Sequence, residues 1–249
     1  MYNPYSLEGK NILVTGASSG IGQSVAEECA RMGAHVIITG RNEERLLKVF
    51  NSLEGNGHSY VVADLSQYED IVKLVDACPK LDGVSNNAGI IKVILVKFIN
   101  QEYLNEILNT NTIGPILLTN LLVKKKKLSK GGSLVFTSSL SGVYCVHYGE
   151  SMYAASKGAV SGFAKGAALD LSAQGIRVNC VNPGIVQTNI FNTAGVITES
   201  DLEEKVKLFP LKRLGVPTDV AYAHVFLLSN ASSWITGINL PIDGGYTLI

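Results

Sequence analysis

Thr15-Gly16-Ala17-Ser18-Ser19-Gly20-Ile21-Gly22 is the segment of this chain that says most about its architecture. It follows a β-branched run at residues 11–15 and opens a stretch whose apolar residues have helical spacing. Glycines let a backbone turn tightly and approach a pyrophosphate, and the free amides at the start of a helix attract negative charge. The glycine spacing, G-x-x-x-G-x-G, matches the general dinucleotide-binding pattern only in part. A strand, a glycine-rich turn and a helix in this order predict a nucleotide-binding α/β unit.

Strand-like and helix-like segments alternate along the rest of the chain. The predicted strands are 11–15, 36–39, 60–63, 83–85, 134–137, 178–181 and 238–241, and the predicted helices are 22–32, 43–53, 102–123, 152–173 and 218–228. This alternation predicts a Rossmann-like α/β fold, a doubly wound parallel sheet of about seven strands with helices on both faces. No linker interrupts residues 1–249, so we expect a single domain. The polar segment 189–208 is either a substrate lid or a surface loop.

The composition argues against several classes of function. Lys and Arg together number 21, as do Asp and Glu, so no net charge recruits nucleic acid or an anionic membrane. The four cysteines are far apart and lack metal-ligand spacing, so we expect reduced thiols and no metal site. The sequence shows no signal peptide and no apolar run long enough to span a membrane, which predicts a cytoplasmic protein. The basic run at 124–127 is interpreted as the solvated end of a helix.

A serine hydrolase is an alternative from another class. Residues 16–20 also spell G-x-S-x-G, the nucleophile elbow of such enzymes, and Asp219 and His224 follow in the order that a triad needs. The position in the chain argues against this reading. An elbow needs an oxyanion-hole loop from an earlier strand, and only a short polar arm precedes the first strand here.

The second predicted strand leads into Gly40 and Arg41, about twenty residues beyond the glycine-rich turn. An NAD site would carry Asp or Glu at this place to bind the ribose hydroxyls. A guanidinium can instead bind a ribose 2′-phosphate through a bidentate, charge-assisted contact. The sequence therefore predicts NADP(H) as the preferred cofactor and leaves NAD(H) open.

Tyr153 and Lys157 lie four residues apart in a predicted helix, so their side chains share one helix face. A fixed positive charge beside a phenol lowers the phenol's pKa from about 10 and prepares it for acid–base catalysis. Tyr-x-x-x-Lys is a weak signal alone, because a tyrosine packed against a lysine stem has the same spacing. The other motifs of the chain must decide between these readings.

Further motifs stand close to the ends of the predicted strands. They are Asp64-Leu65, Asn86-Asn87-Ala88-Gly89, Asn111 in the following helix, Ser138-Ser139-Leu140-Ser141-Gly142, Asn182-Pro183-Gly184 with Thr188, and Asp243-Gly244-Gly245. Together with the glycine-rich turn and Tyr-x-x-x-Lys, these motifs make the whole chain resemble a short-chain dehydrogenase/reductase of the single-domain, oligomeric branch.

The resemblance implies a set of site residues. The catalytic residues would be Ser139, Tyr153, Lys157 and Asn111, and Ser139 is preferred over Ser138 and Ser141 because it begins Ser-x-x-Gly. The cofactor-binding residues would be Gly16, Ser18, Gly20, Ile21, Arg41, Asp64, Leu65, Asn87, Ala88, Gly89, Tyr153, Lys157, Pro183, Gly184, Ile185 and Thr188.

The resemblance also implies roles. Tyr153 would donate a proton to a substrate carbonyl as NADPH delivers hydride, and Lys157 would lower the tyrosine's pKa and bind the nicotinamide ribose. Ser139 would hydrogen-bond the substrate oxygen, and Asn111 would hold a water that links Lys157 to solvent. Ile185 and Thr188 would meet the nicotinamide end of the cofactor.

The substrate is the least determined part of the reading. The chain resembles 3-oxoacyl-carrier-protein reductases and their sugar, steroid and polyol relatives, so the substrate is a small-molecule carbonyl or secondary alcohol. The resemblance implies a homotetramer. His147 could contact a polar substrate atom, although a satisfied loop histidine is favoured. A nucleotide-binding regulator without turnover is the remaining alternative, and such a protein would have little reason to keep all four catalytic residues.

Overall fold

The computed structural model describes residues 2–188 and 206–249, and seven parallel strands in this part of the chain form one sheet. The strands are β1 (Asn11–Thr15), β2 (His35–Gly40), β3 (Ser59–Val62), β4 (Leu81–Asn86), β5 (Leu128–Thr137), β6 (Arg177–Pro183) and β7 (Asn239–Ile242). Their order is β3-β2-β1-β4-β5-β6-β7, and neighbouring strands are parallel throughout. The strand order changes direction between β1 and β4, and ligands bind at such points in open α/β sheets.

The helices lie between the strands along the chain. They are α1 (Gly20–Arg31), α2 (Glu43–Ser52), α3 (Tyr68–Ala77), α4 (Gln101–Leu108), α5 (Gly114–Lys124), α6 (Ser151–Asp170) and α7 (Pro217–Leu228). A π-helical turn, Asn109–Ile113, joins α4 to α5. Short π-helical segments are rare and occur frequently at functional sites.

Buried apolar side chains cover both faces of the sheet. On one face, Leu13 of β1 belongs to a cluster with Leu74 of α3 and Leu118 of α5. On the other face, Ile12 belongs to a cluster with Val25 of α1. Successive side chains of a strand point to opposite faces, so β1 contributes to both layers. The doubly wound parallel fold predicted from the sequence is confirmed.

The predicted elements differ from the observed ones in three places. Helix α3 was not predicted, although its buried residues Ile71, Leu74 and Val75 have helical spacing. The single helix predicted at 102–123 is interrupted by the π-helical turn, which apolar spacing cannot reveal. Strand β5 begins six residues earlier than predicted, because its first half is polar and glycine-rich. Of the segment predicted as a lid or surface loop, residues 189–205 lie outside the described residues.

The basic run at 124–127 ends helix α5, as the sequence predicted. Lys125 Nζ lies 2.5 Å from Asp76 Oδ1, and Lys127 Nζ donates to the carbonyl oxygen of Cys78 at 2.5 Å. These contacts fix the run to the C-terminal end of α3. Within residues 2–188 and 206–249, the helices include none that combines the length and apolarity needed to cross a membrane.

Candidate active site

The loops that follow β1, β2, β4, β5 and β6 emerge at one edge of the sheet, because all these strands run in the same direction. The loop after β1 and the loop after β4 are held together by Thr15. Its Oγ1 accepts hydrogen bonds from the backbone N–H groups of Asn87 (3.0 Å) and Ala88 (3.1 Å). The structure thus brings the predicted cofactor residues of these two loops together at the point where the strand order changes direction.

The glycine-rich turn fits a pyrophosphate at the start of α1. Gly20 has a φ of +57°, and a Cβ on Gly16 would lie 2.7 Å from the Cα of Ala88, so both positions require glycine. The N-cap residue Ser19 makes no side-chain hydrogen bond to the helix, and no acidic residue stands in the first turn. The first amides of α1 therefore have no side-chain cap, which is the arrangement that binds phosphate groups.

The end of β2 carries the residue predicted to recognise the 2′-phosphate. Arg41 is exposed, and its Nη1 lies 3.8 Å from Asp64 Oδ2. Asp64 Oδ1 accepts the backbone N–H of Ser66, so its carboxylate is tied to its own loop. A Cβ on Gly40 would lie 3.3 Å from Ser18 Oγ, which places Ser18 beside this strand end. The four predicted cofactor residues Ser18, Arg41, Asp64 and Leu65 follow three neighbouring strands, β1, β2 and β3.

Ser139, Tyr153 and Lys157 come together between the end of β5 and the first turns of α6. Ser139 lies close enough to the Tyr153 phenol to lower its pKa through a side-chain contact. Lys157 is buried one turn further along α6, and its Nζ lies 5.8 Å from the centre of the Tyr153 ring. Lys157 Nζ donates to the carbonyl oxygen of Thr137 at 2.7 Å, which fixes the ammonium at the end of β5.

The three neighbouring serines have different contacts. Ser138 Oγ donates to the carbonyl oxygen of Lys157 and lies 2.9 Å from Ser161 Oγ, so this buried hydroxyl ties β5 to α6. Ser141 Oγ donates to Glu150 Oε2 at 2.5 Å. Among the described residues, Ser139 Oγ accepts the backbone N–H of Ser141, and the side chain also contacts the Tyr153 phenol. Ser139 is therefore the serine of this group that faces the phenol.

Burial dominates the acid–base properties of the pair on α6. Removal from water raises the pKa of Tyr153 to about 12, and the hydrogen bond from Ser139 lowers it only in part. Burial lowers the pKa of Lys157 to about 8. We expected the charge of Lys157 to bring the tyrosine's pKa below its usual value, whereas in this structure the net pKa lies above that value. The ammonium points to the carbonyl oxygen of Thr137, and the cost of burying a phenolate is larger than the stabilisation by its neighbours.

Asn111 lies in the π-helical turn and is almost completely buried. Its Oδ1 accepts the backbone N–H of Ile90 at 2.8 Å, and its Nδ2 donates to the carbonyl oxygen of Ile90 and to Ser156 Oγ. A Cβ on Gly89 would lie 3.3 Å from both Asn111 Oδ1 and Lys157 Nζ. Asn111 thus fixes the loop after β4 beside the ammonium of Lys157.

The loop after β6 contacts the neighbouring loops of the site. Pro183 accepts a hydrogen bond from the N–H of Leu140, and Gly184 donates to the carbonyl oxygen of Ile242. The Ile185 carbonyl accepts the N–H of Gly215. Thr188 lies beside the glycine-rich turn, where its Cγ2 would be 3.3 Å from a Cβ on Gly20.

The triad of the hydrolase alternative is not formed. His224 is buried, with Nδ1 3.1 Å from Ser85 Oγ and Nε2 3.0 Å from Thr137 Oγ1, and burial lowers its pKa to about 3. Asp219 pairs instead with Arg213 and accepts the N–H of Val216. A neutral histidine held between two strand hydroxyls cannot serve as the base for Ser18.

Sequence reasoning missed two residues of this site. Thr137 holds Lys157 through its carbonyl oxygen, and its hydroxyl donates to Asn87 Oδ1 at 3.0 Å. Glu150 lies three residues before Tyr153 and contacts Ser141. Its charge raises the pKa of the Tyr153 phenol. An acidic residue this close to a candidate proton donor is a signal that the sequence offers.

Known proteins resemble this chain over nearly its full length. A family model described as Enoyl-(Acyl carrier protein) reductase matches residues 16–247. A 3-oxoacyl-[acyl-carrier-protein] reductase of Thermotoga maritima is 36% identical over 248 residues, which cover 97% of this chain and 99% of the relative. A tropinone reductase homolog of Arabidopsis thaliana is 35% identical, with 98% of this chain and 94% of the relative covered.

Solved structures agree with these relatives. A short chain dehydrogenase family protein from Francisella tularensis superposes with a TM-score of 0.85 at 32% identity, covering 97% of this chain and 100% of that chain. The chain belongs to the short-chain dehydrogenase/reductase family. As a short-chain dehydrogenase/reductase, it is an oxidoreductase that uses a nicotinamide cofactor. Membership in a family of enzymes also disfavours the regulator without turnover.

Proposed function

We propose that this short-chain dehydrogenase/reductase reduces a small-molecule carbonyl to a secondary alcohol with NADPH, and catalyses the reverse oxidation with the same residues. The observation that carries the proposal is the meeting of the Ser139 side chain with the Tyr153 phenol, and the buried Lys157 one helical turn further along, with its Nζ 5.8 Å from the centre of the phenol ring. When bound, the cofactor supplies the hydride. The protein supplies a proton, a hydrogen bond to the substrate oxygen and a fixed positive charge.

Tyr153 is the proton donor. Its raised pKa of about 12 keeps the phenol protonated at neutral pH, so the proton is present when a substrate oxygen gains charge. Ser139 Oγ contacts the same hydroxyl and can hydrogen-bond the substrate oxygen, which stabilises negative charge as it develops. Lys157, held by Thr137, places its ammonium next to the phenol and favours the phenolate left after transfer.

Asn111 and the loop after β4 organise the route by which the proton is replaced. Asn111 Oδ1 and Lys157 Nζ both lie next to Gly89, so one small group at this position touches both side chains. Both polar atoms of Asn111 also bond the backbone of Ile90. We propose that Asn111 holds this loop open beside Lys157 and supports the water that returns a proton to Tyr153.

Cofactor preference rests on Arg41. No acidic side chain occupies position 40, and the exposed Arg41 pairs only loosely with Asp64 at 3.8 Å. Exposed pairs of this kind contribute about 0–1 kcal/mol, so a 2′-phosphate can displace Asp64 at little cost. We propose NADP(H) as the preferred cofactor, with NAD(H) as a weaker one.

Further proposals concern the substrate and the assembly. The names of the relatives support 3-oxoacyl thioesters as one substrate class. Residues 1–249 would act as a single domain in the cytoplasm, with residues 189–208 as a substrate lid. The small, exposed residues of α6 support a homotetramer, because a Cβ on Gly162 or Gly166 would meet nothing within 4 Å. Trp234, 99% exposed near β7, supports a second interface. Sedimentation of the wild type as a monomer would contradict this assembly.

The proposed reaction is tested by following NADPH absorbance with a panel of ketoacyl thioesters, cyclic ketones, keto sugars and quinones. We expect oxidation of NADPH with at least one class, and loss of that activity in Tyr153→Phe. Tight binding of NADPH without turnover of any carbonyl would overturn the proposed function.

A further inference from the structure

His224 is a buried titratable residue that the proposed reaction does not use. It lies on α7 with its side chain fully buried, among apolar residues such as Val225 and Leu228. A buried imidazole is stable in such surroundings only when both nitrogens are hydrogen-bonded, because unpaired polar atoms in an apolar core cost free energy. Nδ1 lies 3.1 Å from Ser85 Oγ of β4, and Nε2 lies 3.0 Å from Thr137 Oγ1 of β5. The ring therefore joins the ends of two neighbouring strands through their side-chain hydroxyls.

The hydrogen bond from Thr137 to Asn87 decides which nitrogen of His224 carries the proton. Burial lowers the pKa of His224 to about 3, so the ring is neutral near pH 7 and has one N–H. The Thr137 hydroxyl donates its hydrogen to Asn87 Oδ1 at 3.0 Å, so its oxygen accepts from the ring. His224 Nε2 is therefore the donor, and Nδ1 accepts the hydroxyl hydrogen of Ser85. The result is one directed chain of hydrogen bonds from β4 through α7 and β5 to Asn87.

This chain of hydrogen bonds ends against the glycine-rich turn. A Cβ on Gly22 would lie 2.5 Å from Asn87 Nδ2 and 2.3 Å from the carbonyl oxygen of Gly16, so the amide nitrogen of Asn87 packs beside that oxygen. An amide nitrogen is a donor and suits a carbonyl neighbour, whereas an amide oxygen in its place would set two acceptors side by side. The direction of the chain therefore keeps the donor end of Asn87 towards Gly16 and its acceptor end towards Thr137.

We propose that His224 is a positioning residue for cofactor binding, which holds the Thr137 hydroxyl and through it the Asn87 amide against the turn that binds the pyrophosphate. Without the Nε2–H donor, the Thr137 hydroxyl loses the contact that holds it in place, and Asn87 loses a fixed partner. The carbonyl oxygen of Thr137, which holds Lys157, belongs to the backbone of β5 and is fixed by pairing with β6. His224 therefore governs affinity for the cofactor rather than the chemical step. The inference rests on the cofactor site of the proposed reductase.

Two variants with the same amide group separate the two hydrogen bonds of His224. In His224→Gln the amide nitrogen takes the place of Nε2 and donates to Thr137, whereas the shorter side chain in His224→Asn reaches only the place of Nδ1, near Ser85. The Kd for NADPH, measured by fluorescence titration, should rise about tenfold in His224→Asn, the loss expected for one hydrogen bond. In His224→Gln it should stay within about threefold of wild type. In both variants, kcat with saturating NADPH should change by less than about threefold.

A variant of Thr137 tests whether His224 acts through the threonine hydroxyl. Thr137→Val keeps the carbonyl that holds Lys157 and removes only the hydroxyl, so His224→Asn should add less than about twofold to the Kd in that background. Ser133→Ala is the matched control, because Ser133 Oγ also ties β5 to α7, through the carbonyl oxygen of Leu227, but further from the site. The control should lower Tm and leave the Kd for NADPH unchanged.

Three results overturn the inference: equal Kd values in wild type and His224→Asn, equal losses in the Asn and Gln variants, or a loss in His224→Asn that persists in Thr137→Val. The proton position is measured on the wild type by ¹⁵N NMR of the imidazole, which does not depend on the folding of a variant. We expect Nε2–H, and Nδ1–H would overturn the inference as well. Because the main readout is binding, failure of the proposed reduction is recognised separately, as wild-type protein that binds NADPH without turnover of any carbonyl.

Discussion

Replacement of Lys157 by Met should stabilise the cofactor-free protein while destroying its activity. Lys157 is buried, and burial lowers its pKa from 10.5 to about 8, which corresponds to ~3 kcal/mol at 1.36 kcal/mol per pKa unit. Met removes this cost but leaves the carbonyl oxygen of Thr137 without its donor, which costs about 1–2 kcal/mol. The net gain of ~1–2 kcal/mol should raise Tm by about 2–8 °C for a chain of this size.

The pH dependence of the effect identifies its cause. Below pH about 8 the lysine is charged in both the folded and the unfolded state, so folding carries the full cost of burial. Between pH 8 and 10.5 the folded lysine is neutral while the unfolded one remains charged, so the cost of folding declines steadily and reaches zero near pH 10.5. The Tm advantage of Lys157→Met should therefore be largest at pH 7 and shrink towards pH 10.

The assay is thermal unfolding by circular dichroism without cofactor, with Lys165→Met as the control because Lys165 is exposed on the same helix. The control should show no advantage at any pH. The argument that burial of the Lys157 ammonium destabilises the fold would be refuted by a Lys157→Met protein that is less stable than wild type at pH 7. A Tm advantage that does not change with pH would also refute it.

Ser139→Ala should lower kcat by about 10²–10³ with NADPH affinity unchanged, as expected for loss of one donor to a developing oxyanion. Ser138→Ala should mainly lower Tm, because the Ser138 hydroxyl bonds the backbone of α6. Equal losses of kcat in both variants would argue against these separate roles. Arg41→Ala should weaken the binding of NADPH at least tenfold more than the binding of NADH. Arg45 is exposed on α2, and Arg45→Ala should affect the binding of both cofactors equally. The Kd values are measured by fluorescence titration, and equal losses for both cofactors in Arg41→Ala would contradict recognition of the 2′-phosphate by Arg41. In the pH profile of kcat/KM for reduction, the rate should fall above pH about 8 as Lys157 loses its proton; a flat profile from pH 7 to 10 would contradict that role.

The architecture follows from local patterns that the sequence displays. The glycine-rich turn after β1 and the β-branched runs specify a parallel sheet, and the buried strands match the predicted ones within a few residues except at the start of β5. The need for glycine at position 16 could be predicted, because a tight turn between a strand and a helix requires it. The reason it tolerates nothing larger, the close approach of Ala88, depends on a loop more than seventy residues away and becomes visible only in the fold.

The electrostatics of the site could not be predicted from spacing. Tyr153 and Lys157 share a helix face, but the direction of the ammonium is set by the carbonyl oxygen of Thr137 in another element. The raised pKa of the tyrosine comes from burial, which depends on the neighbouring elements that pack around α6 in the folded protein. The contact of Glu150 with Ser141 could not be predicted either, because it depends on how the loop between β5 and α6 folds back on itself.

The central claim is that Tyr153 transfers the proton while the rest of the site binds the cofactor and orients the substrate. Its most direct test is a comparison of Tyr153→Phe with Tyr148→Phe, which removes the hydroxyl of a 96% exposed tyrosine, in single-turnover reduction with saturating NADPH. Tyr153→Phe should lose about 10²–10⁴ in rate with the Kd for NADPH within about threefold of wild type, while Tyr148→Phe should behave as wild type. A Tyr153→Phe enzyme that reduces the carbonyl at the wild-type rate would contradict the claim.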